Sequence, residues 1–187
     1  MNEDIRKACD ILWAGGIILY PTDTIWGIGC DATNKEAVKK VYELKQRDDS
    51  KAMIVLLDSS AKLDYYVEDV PDIALDLIEV SEKPLTIIYD KARNVADNLI
   101  AADGSLAIRI TGEKFSNELC KRFRKAIVST SANISGQPSP HNFSEISEEI
   151  KNKVDYIVNY NQTETKISNP SGIIKLGNNG VIKIIRE

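Results

Sequence analysis

Along this chain, short apolar runs closed by polar, glycine-bearing turns alternate with stretches in which apolar residues recur every three or four positions. Residues 3–14 place Ile5, Ala8, Cys9, Leu12 and Trp13 on one helical face, with Asn2 as a cap and Gly15-Gly16 as the stop. The run 17–20 predicts a buried strand that ends at Pro21, which has no N–H to give a ladder. Thr22, Asp23 and Thr24 then open a polar loop, and Gly27 and Gly29 allow a sharp turn or a close approach of the backbone. Thr33 with Glu36 predicts a capping box, ahead of a helix whose apolar face is Ala37, Val38, Val41, Tyr42 and Leu44 and whose last turn carries Lys45 and Arg47.

The same alternation continues. Residues 52–57 read as a strand turned by Asp58-Ser59-Ser60, and Pro71 opens a helix containing Ile73, Ala74, Leu77 and Ile78. Strands are predicted over 85–89 and 106–110. In the second, Leu106, Ile108 and Ile110 share one face, while Ala107 and Arg109 share the other. Arg109 is thus either a solvent-face residue or one aimed into a polar site. Residues 114–125 form a helix with Phe115, Leu119 and Phe123 inward and a basic end, Lys121, Arg122, Arg124 and Lys125. A strand over 126–128 runs into the hydroxyl-rich segment Ser129-Thr130-Ser131-Ala132-Asn133. A short helix near 144–150, a strand near 156–158 and a polar loop through Asn169 follow. Strands over 173–176 and 181–185 then flank Gly177-Asn178-Asn179-Gly180, a hairpin signal. Strands alternating with helices predict an α/β fold on a twisted sheet with some antiparallel pairing.

Composition narrows the chemistry. At 187 residues, 43% apolar and 28% charged, the chain fits one well-buried globular domain spanning 1–187. A net charge of -4 gives no general polyanion-binding character, so a nucleotide or nucleic-acid site has to come from local clusters of Lys and Arg. Cys9, Cys30 and Cys120 are too few and too widely spaced for a disulfide framework or a CxxC site, and read as small buried side chains. No signal peptide and no membrane-length apolar run is visible, which places the protein in the cytoplasm. The only histidine, His141, supports neither a Ser-His-Asp triad nor a histidine metal site, and no metal-ligating residues are assigned. Neither the dinucleotide fingerprint nor a Walker loop is present, so phosphates would be held by side chains such as Lys45, Arg47 and Lys51.

Tyr20-Pro21-Thr22-x-Thr24-x-Trp26-Gly27, followed by Glu43-Leu44-Lys45-x-Arg47-x-x-x-Lys51, resembles the opening of the YrdC-like (TsaC) family, the threonylcarbamoyl-AMP synthases. The block Ser129 to Gly136 is similar to a second family motif, and Pro170-Ser171 to a third, all in family order. The resemblance implies a short, single-domain YrdC-like fold, a twisted mixed sheet flanked by helices with an open concave cleft. It also implies a nucleotidyltransferase reaction, in which L-threonine, bicarbonate and ATP, with Mg²⁺, give threonylcarbamoyl-AMP and pyrophosphate. The product would pass to a threonylcarbamoyl transferase complex that modifies tRNA.

The residue roles it implies are as follows. Lys45, Arg47 and Lys51 are catalytic, with Arg47 and Lys51 at the ATP phosphates and Lys45 alongside them. Thr24, Arg109, Ser129 and Ser171 bind threonine, Arg109 taking its carboxylate. Ser105, Ser131, Asn133, Ser139 and Arg186 line the nucleotide side. Three features depart from the family pattern: Asp48-Asp49 beside Arg47, Leu56 where longer members carry a histidine near threonine, and SEKPLT over 81–86. Two other readings compete. One is a noncatalytic tRNA- or double-stranded-RNA-binding module, in which Lys39, Lys40, Lys45, Arg47, Lys51 and the 121–125 cluster form one basic concavity. The other is carbamoyl transfer from carbamoyl phosphate, as in hydrogenase maturation proteins, whose acylphosphatase and cysteine-rich modules are missing here.

Overall fold

The computed structural model describes residues 1–46, 53–164, 170–177 and 181–187. In chain order its helices and strands are α1 (Asn2–Trp13), β1 (Ile18–Tyr20), β2 (Gly27–Gly29), α2 (Lys35–Lys45), β3 (Ile54–Leu57), α3 (Leu63–Tyr66), α4 (Asp72–Val80), β4 (Leu85–Tyr89), β5 (Leu106–Ile110), α5 (Lys114–Phe123), β6 (Ile127–Ser131), α6 (Glu148–Lys151), β7 (Tyr156–Ile157), β8 (Gly172–Leu176) and β9 (Ile182–Arg186). The strands form a mixed sheet in the order β7-β1-β2-β6-β3-β5-β4-β8-β9. Parallel pairs are β1 with β7, β3 with β5 and β4 with β8, and the remaining neighbours run antiparallel. This is the α/β architecture expected from the alternating elements.

Alternation along each strand divides the core into two layers. On one face Leu19, Ile28, Val55, Ile108 and Val128 pack beneath the Val38-Val41-Leu44 stripe of α2. On the other, Ile18, Tyr20, Leu56 and Ile127 lie beneath α1 and α5, through Ile5, Leu12, Phe115 and Leu119. Burial of each such large side chain contributes about 1.5–3 kcal/mol. All three cysteines are buried, as their spacing suggested. Leu56 is fully buried in the second layer and has no part in a ligand contact; its register opposite Ile127 puts it under α5. Among the described residues no helix is long and apolar enough to cross a membrane.

Several local expectations change. α1 already includes Asn2, with Met1 at the cap position and no side-chain cap. α2 is capped by Asn34, whose side chain accepts from the Glu36 and Ala37 amides, while Thr33 turns back to Asp31 through its amide and hydroxyl. Asn34 wins because it stands immediately before the first helical residue with extended backbone, the geometry a cap needs. The turn at 58–60 continues into a 3-10 turn and α3. The helix expected over 144–150 is a 3-10 turn at Phe143–Glu145 followed by a separate α6 capped by Ser147. α5 ends at Phe123 because Arg124 takes the left-handed conformation, φ 63°. The Asn178-Asn179-Gly180 turn lies outside the described residues, but β8 and β9 pair antiparallel as its flanks predicted.

The main departure is β2, which the sequence suggested was loop. Gly29 is strand because β1 and β6 close on it from both sides: a Cβ there would sit 2.6 Å from Tyr20 Cε1 and 2.8 Å from the Val128 carbonyl. The glycine serves close approach rather than a turn.

Candidate active site

The face of the sheet covered by α1 and α5 at one end is polar and open at the other. There a cavity of about 220 Å³ is walled by Thr24 to Trp26 from the β1–β2 loop, Gly27 of β2, Ile54 of β3, Arg109 of β5, Ser129 to Ser131 of β6, Ser139, Pro170-Ser171 ahead of β8, and Arg186 of β9. Register explains the convergence. Ile54 lies opposite both Ser129 and Ala107, and Arg109 lies opposite Thr86, so these side chains share the cleft face. Arg186 reaches it through an irregularity in the β8–β9 ladder: Ile184 pairs with Ile174, yet Arg186 pairs with the adjacent Ile173. That bulge turns Arg186 away from the Ile184 face and into the cleft.

Arg109 is 4% exposed, and its Nη2 donates to Thr24 Oγ1 at 3.3 Å. The Thr22 hydroxyl donates to the Ile25 carbonyl at 2.8 Å, so its 3.1 Å contact with Thr24 Oγ1 is accepted from Thr24. The chain of donations therefore runs from Arg109 to Thr24 to Thr22 and ends on the Ile25 carbonyl. Thr24 has one proton, already given, and two lone pairs, one already taken; its remaining capacity at the cavity is to accept. Asp23 Oδ1 stands 3.0 Å from Arg109 Nη2, close enough for charge pairing but without a hydrogen bond, and Arg109 Nε is buried without one as well. Burial pushes the Asp23 carboxyl above its ordinary value, against the pull of Arg109.

On the opposite wall Arg186 Nε donates to the Ser171 carbonyl at 2.9 Å, and Ser171 Oγ bonds the buried Thr86 hydroxyl at 2.8 Å. Arg186 has no carboxylate partner among the described residues. Burial, and then the like charge of Arg109, press its pKa below the ordinary value. The cavity therefore has one guanidinium with no carboxylate partner among the described residues, Arg186, and one, Arg109, whose charge Asp23 offsets.

The structure thus gathers Thr24, Arg109, Ser129, Ser131, Ser139, Ser171 and Arg186 around one space. Asn133 is next to it: its Oδ1 accepts from Ser131 Oγ, and its Nδ2 donates to the Gln137 carbonyl. Lys45 closes α2 with its ammonium buried, donating to the carbonyls of Ser131 and Asn133 and to Asn133 Oδ1, so it supports the 131–133 segment from behind and does not wall the cavity. Ser105 is not brought in. At about 3.3 Å per residue it lies about 13 Å along the strand from Arg109, where its hydroxyl donates to Asp103 at 2.6 Å. Arg47 and Lys51, with Asp48 and Asp49, lie outside the described residues. Asp23 went unassigned in the sequence, because its pairing with Arg109 across a long stretch of chain leaves no local pattern.

Among the described residues, the basic groups beyond the cavity do not form one concavity. α2, bearing Lys39 and Lys40, packs on one sheet face, and α5, bearing the 121–125 cluster, on the other. Several are also engaged: Lys40 donates to the Gly15 carbonyl and Lys125 pairs with buried Asp31 at 2.7 Å.

Comparison with known proteins identifies the family and the fold. The Sua5/YciO/YrdC family model, described as telomere recombination, matches residues 10–187. A threonylcarbamoyl-AMP synthase of Idiomarina loihiensis is 33% identical over 90% of this chain and 91% of its own length. A putative threonylcarbamoyl-AMP synthase of Methanocaldococcus jannaschii is 36% identical over 98% and 88%. Among solved structures, P. abyssi Sua5 complexed with L-threonine superposes with a TM-score of 0.83 at 27% identity, covering 92% of this chain. The chain spans only 50% of that protein's length. E. coli YciO superposes at 0.86 and 22% identity, over 100% of this chain and 90% of its own. The chain belongs to the Sua5/YciO/YrdC family.

Proposed function

We propose that the protein is an L-threonylcarbamoyladenylate synthase, a nucleotidyltransferase that uses L-threonine, bicarbonate and ATP. The observation that carries this reading is the Arg109–Thr24 pair: a guanidinium that suits a carboxylate, beside a hydroxyl left only with the capacity to accept. An α-amino acid offers that combination, a carboxylate one carbon from an N–H donor. The relatives' names and the threonine-bound P. abyssi structure support threonine as the amino acid.

In this reading the free amine of threonine attacks the carbon of bicarbonate, forming the N–C bond and releasing water to leave the N-carboxylate. A carboxylate oxygen then attacks the α-phosphorus of ATP. The bond to the β,γ-diphosphate breaks and pyrophosphate departs. Two anions have to meet, so the protein's task is positioning and charge neutralisation. Arg109 holds the threonine carboxylate, Ser129 and Ser131 offer hydroxyls along the cleft floor, and Arg186 supplies positive charge on the far wall, with Arg47 and Lys51 assigned to the phosphates by family resemblance. Lys45 supports the 131–133 segment. Among the described residues no three His, Cys, Asp or Glu side chains gather to hold a metal. Mg²⁺ brought in on the ATP phosphates would offset their charge. The product would serve tRNA modification through a separate transferase.

The test is pyrophosphate release from ATP with Mg²⁺, with threonine and bicarbonate each present or omitted. Release that needs both is the expected result, and Arg47→Ala should abolish it in a folded chain. Release that ignores threonine, or none at all, would overturn the proposal.

A further inference from the structure

Asp23 faces away from the cavity just described. It helps wall a second space of about 290 Å³ with Lys83, Pro84, Thr111 and Gly112, so the Asp23–Arg109 pair is the partition between the two. Arg109 by itself would draw any anion. The cleft has to admit ATP and release pyrophosphate, both far more highly charged than an amino acid, so an unmatched guanidinium at the amino-acid end would be occupied by the wrong ligand. With Asp23 Oδ1 3.0 Å from Nη2, Arg109 buried and Asp23 largely so, the local charge at that end is close to zero. A ligand that brings a carboxylate alone meets Arg109 against the opposition of Asp23. A zwitterion brings its own compensation, because its ammonium can occupy the lone pair that Thr24 keeps free.

We propose that Asp23 is a specificity-determining residue that acts through Arg109, balancing its charge so that the site takes a zwitterionic amino acid and rejects simple carboxylates and phosphates. This rests on the synthase reading for the identity of the amino acid. Discrimination then comes from an element set against the wrong ligand as much as from contacts with the right one.

Titration calorimetry of L-threonine and of 3-hydroxybutyrate, which is threonine without its amino group, tests it at mildly alkaline pH, where carboxyls are ionised and threonine is still a zwitterion. The wild type should prefer threonine. Asp23→Asn, nearly isosteric, should weaken threonine binding and strengthen 3-hydroxybutyrate binding, lowering the ratio of affinities by on the order of tenfold or more. A merely structural defect would weaken both together and leave the ratio unmoved, and an unchanged ratio overturns the inference. Thr24→Val should lower the ratio through threonine alone. Should the asparagine chain not fold, Asp23→Ser, which leaves room for a water beside the guanidinium, carries the same expectation. A wild type that binds both ligands equally refutes the charge filter while leaving threonine-dependent pyrophosphate release intact; a wild type that binds no threonine removes the synthase reading and this inference together.

Discussion

Lys45 holds Asn133 at two points, its ammonium donating to the backbone carbonyl at 2.7 Å and to the side-chain carbonyl at 3.3 Å. The last residue of α2, which also donates to the Ser131 carbonyl, thereby fixes the 131–133 segment where β6 ends. Lys45→Met keeps the length of the stem and removes every one of those donations. A hydrogen bond to a charged group is worth about 1.5–3 kcal/mol, so the variant should lose stability on that scale by urea unfolding. Because Ser131 is the residue that this segment presents to the cavity, the KM for ATP should rise more than the KM for threonine in steady-state assays. Equal effects on both would mean that Lys45 acts on the whole site and not through the segment.

Gly29→Ala is expected to destabilise the protein by about 1–3 kcal/mol. The added methyl would meet the Tyr20 ring at 2.6 Å and the Val128 carbonyl at 2.8 Å. Neither can step aside independently, since the Tyr20 hydroxyl donates to that same carbonyl. Gly27→Ala is the control: its nearest neighbour is the Ser129 hydroxyl at 3.2 Å, a movable group. Thermal unfolding should therefore show a clear loss for Gly29→Ala and a small one for Gly27→Ala, with the latter felt in substrate affinity because Gly27 lines the cavity.

Much of this was legible before any coordinates, and the reason is physical. β4 and β5 are apolar runs of ordinary strand length, and α5 shows its inward face through Phe115, Leu119 and Phe123, so local pattern alone places them. β2 was hidden because Gly27-Ile28-Gly29 has low strand propensity and becomes strand only through the partners that close on it. The capping box expected at Thr33 does not form: the cap falls on Asn34, and the residue three on is then Ala37, whose side chain cannot return the bond. Within the site, alternation left Arg109 with two possible directions, and only the neighbouring strands choose the cleft. Ser105 shows the converse: a serine near the right strand but at its far end. The Arg186 bulge and the Asp23–Arg109 pair depend on register and on contacts across the sheet, neither of which the chain spells out locally.

Arg186→Ala should separate the two substrates. Its guanidinium faces the cavity opposite Arg109 and carries no carboxylate partner among the described residues, so it is free to meet an anion. Loss of one charge-assisted contact of about 1.5–3 kcal/mol corresponds to roughly 10- to 100-fold in affinity. That loss should fall on the KM for ATP, with the KM for threonine changing far less. β9 is exposed along its length and Arg186 gives up only its bonds to Ser171, so the melting temperature should fall by only a few degrees. A threonine-specific defect would place the nucleotide elsewhere.

Asp4 sets a prediction for acid stability. Its Oδ1 accepts from the Tyr156 hydroxyl at 2.6 Å, the Asn159 amide at 3.0 Å and Asn159 Nδ2 at 3.1 Å, which ties α1 to the segment around β7. Burial alone would raise its pKa, but these hydrogen bonds outweigh it and hold the carboxyl below the ordinary 3.8. The folded-state value is therefore the lower one. The stabilisation it gives is complete above the unfolded-state pKa and is lost as pH falls from there through the folded value. Asp4→Asn removes the charge at every pH: its carbonyl oxygen can keep the three donors but without charge assistance, and its NH2 replaces the oxygen that faces the N-terminal ammonium at 3.7 Å, at a cost of on the order of 1 kcal/mol. Urea unfolding at neutral pH should show that gap between wild type and variant. The gap should narrow as the pH is taken below the ordinary carboxylate range, because the wild type then loses the same interaction by protonation. A gap that stays constant through the acid range would show that the Asp4 charge contributes nothing to the anchoring of α1.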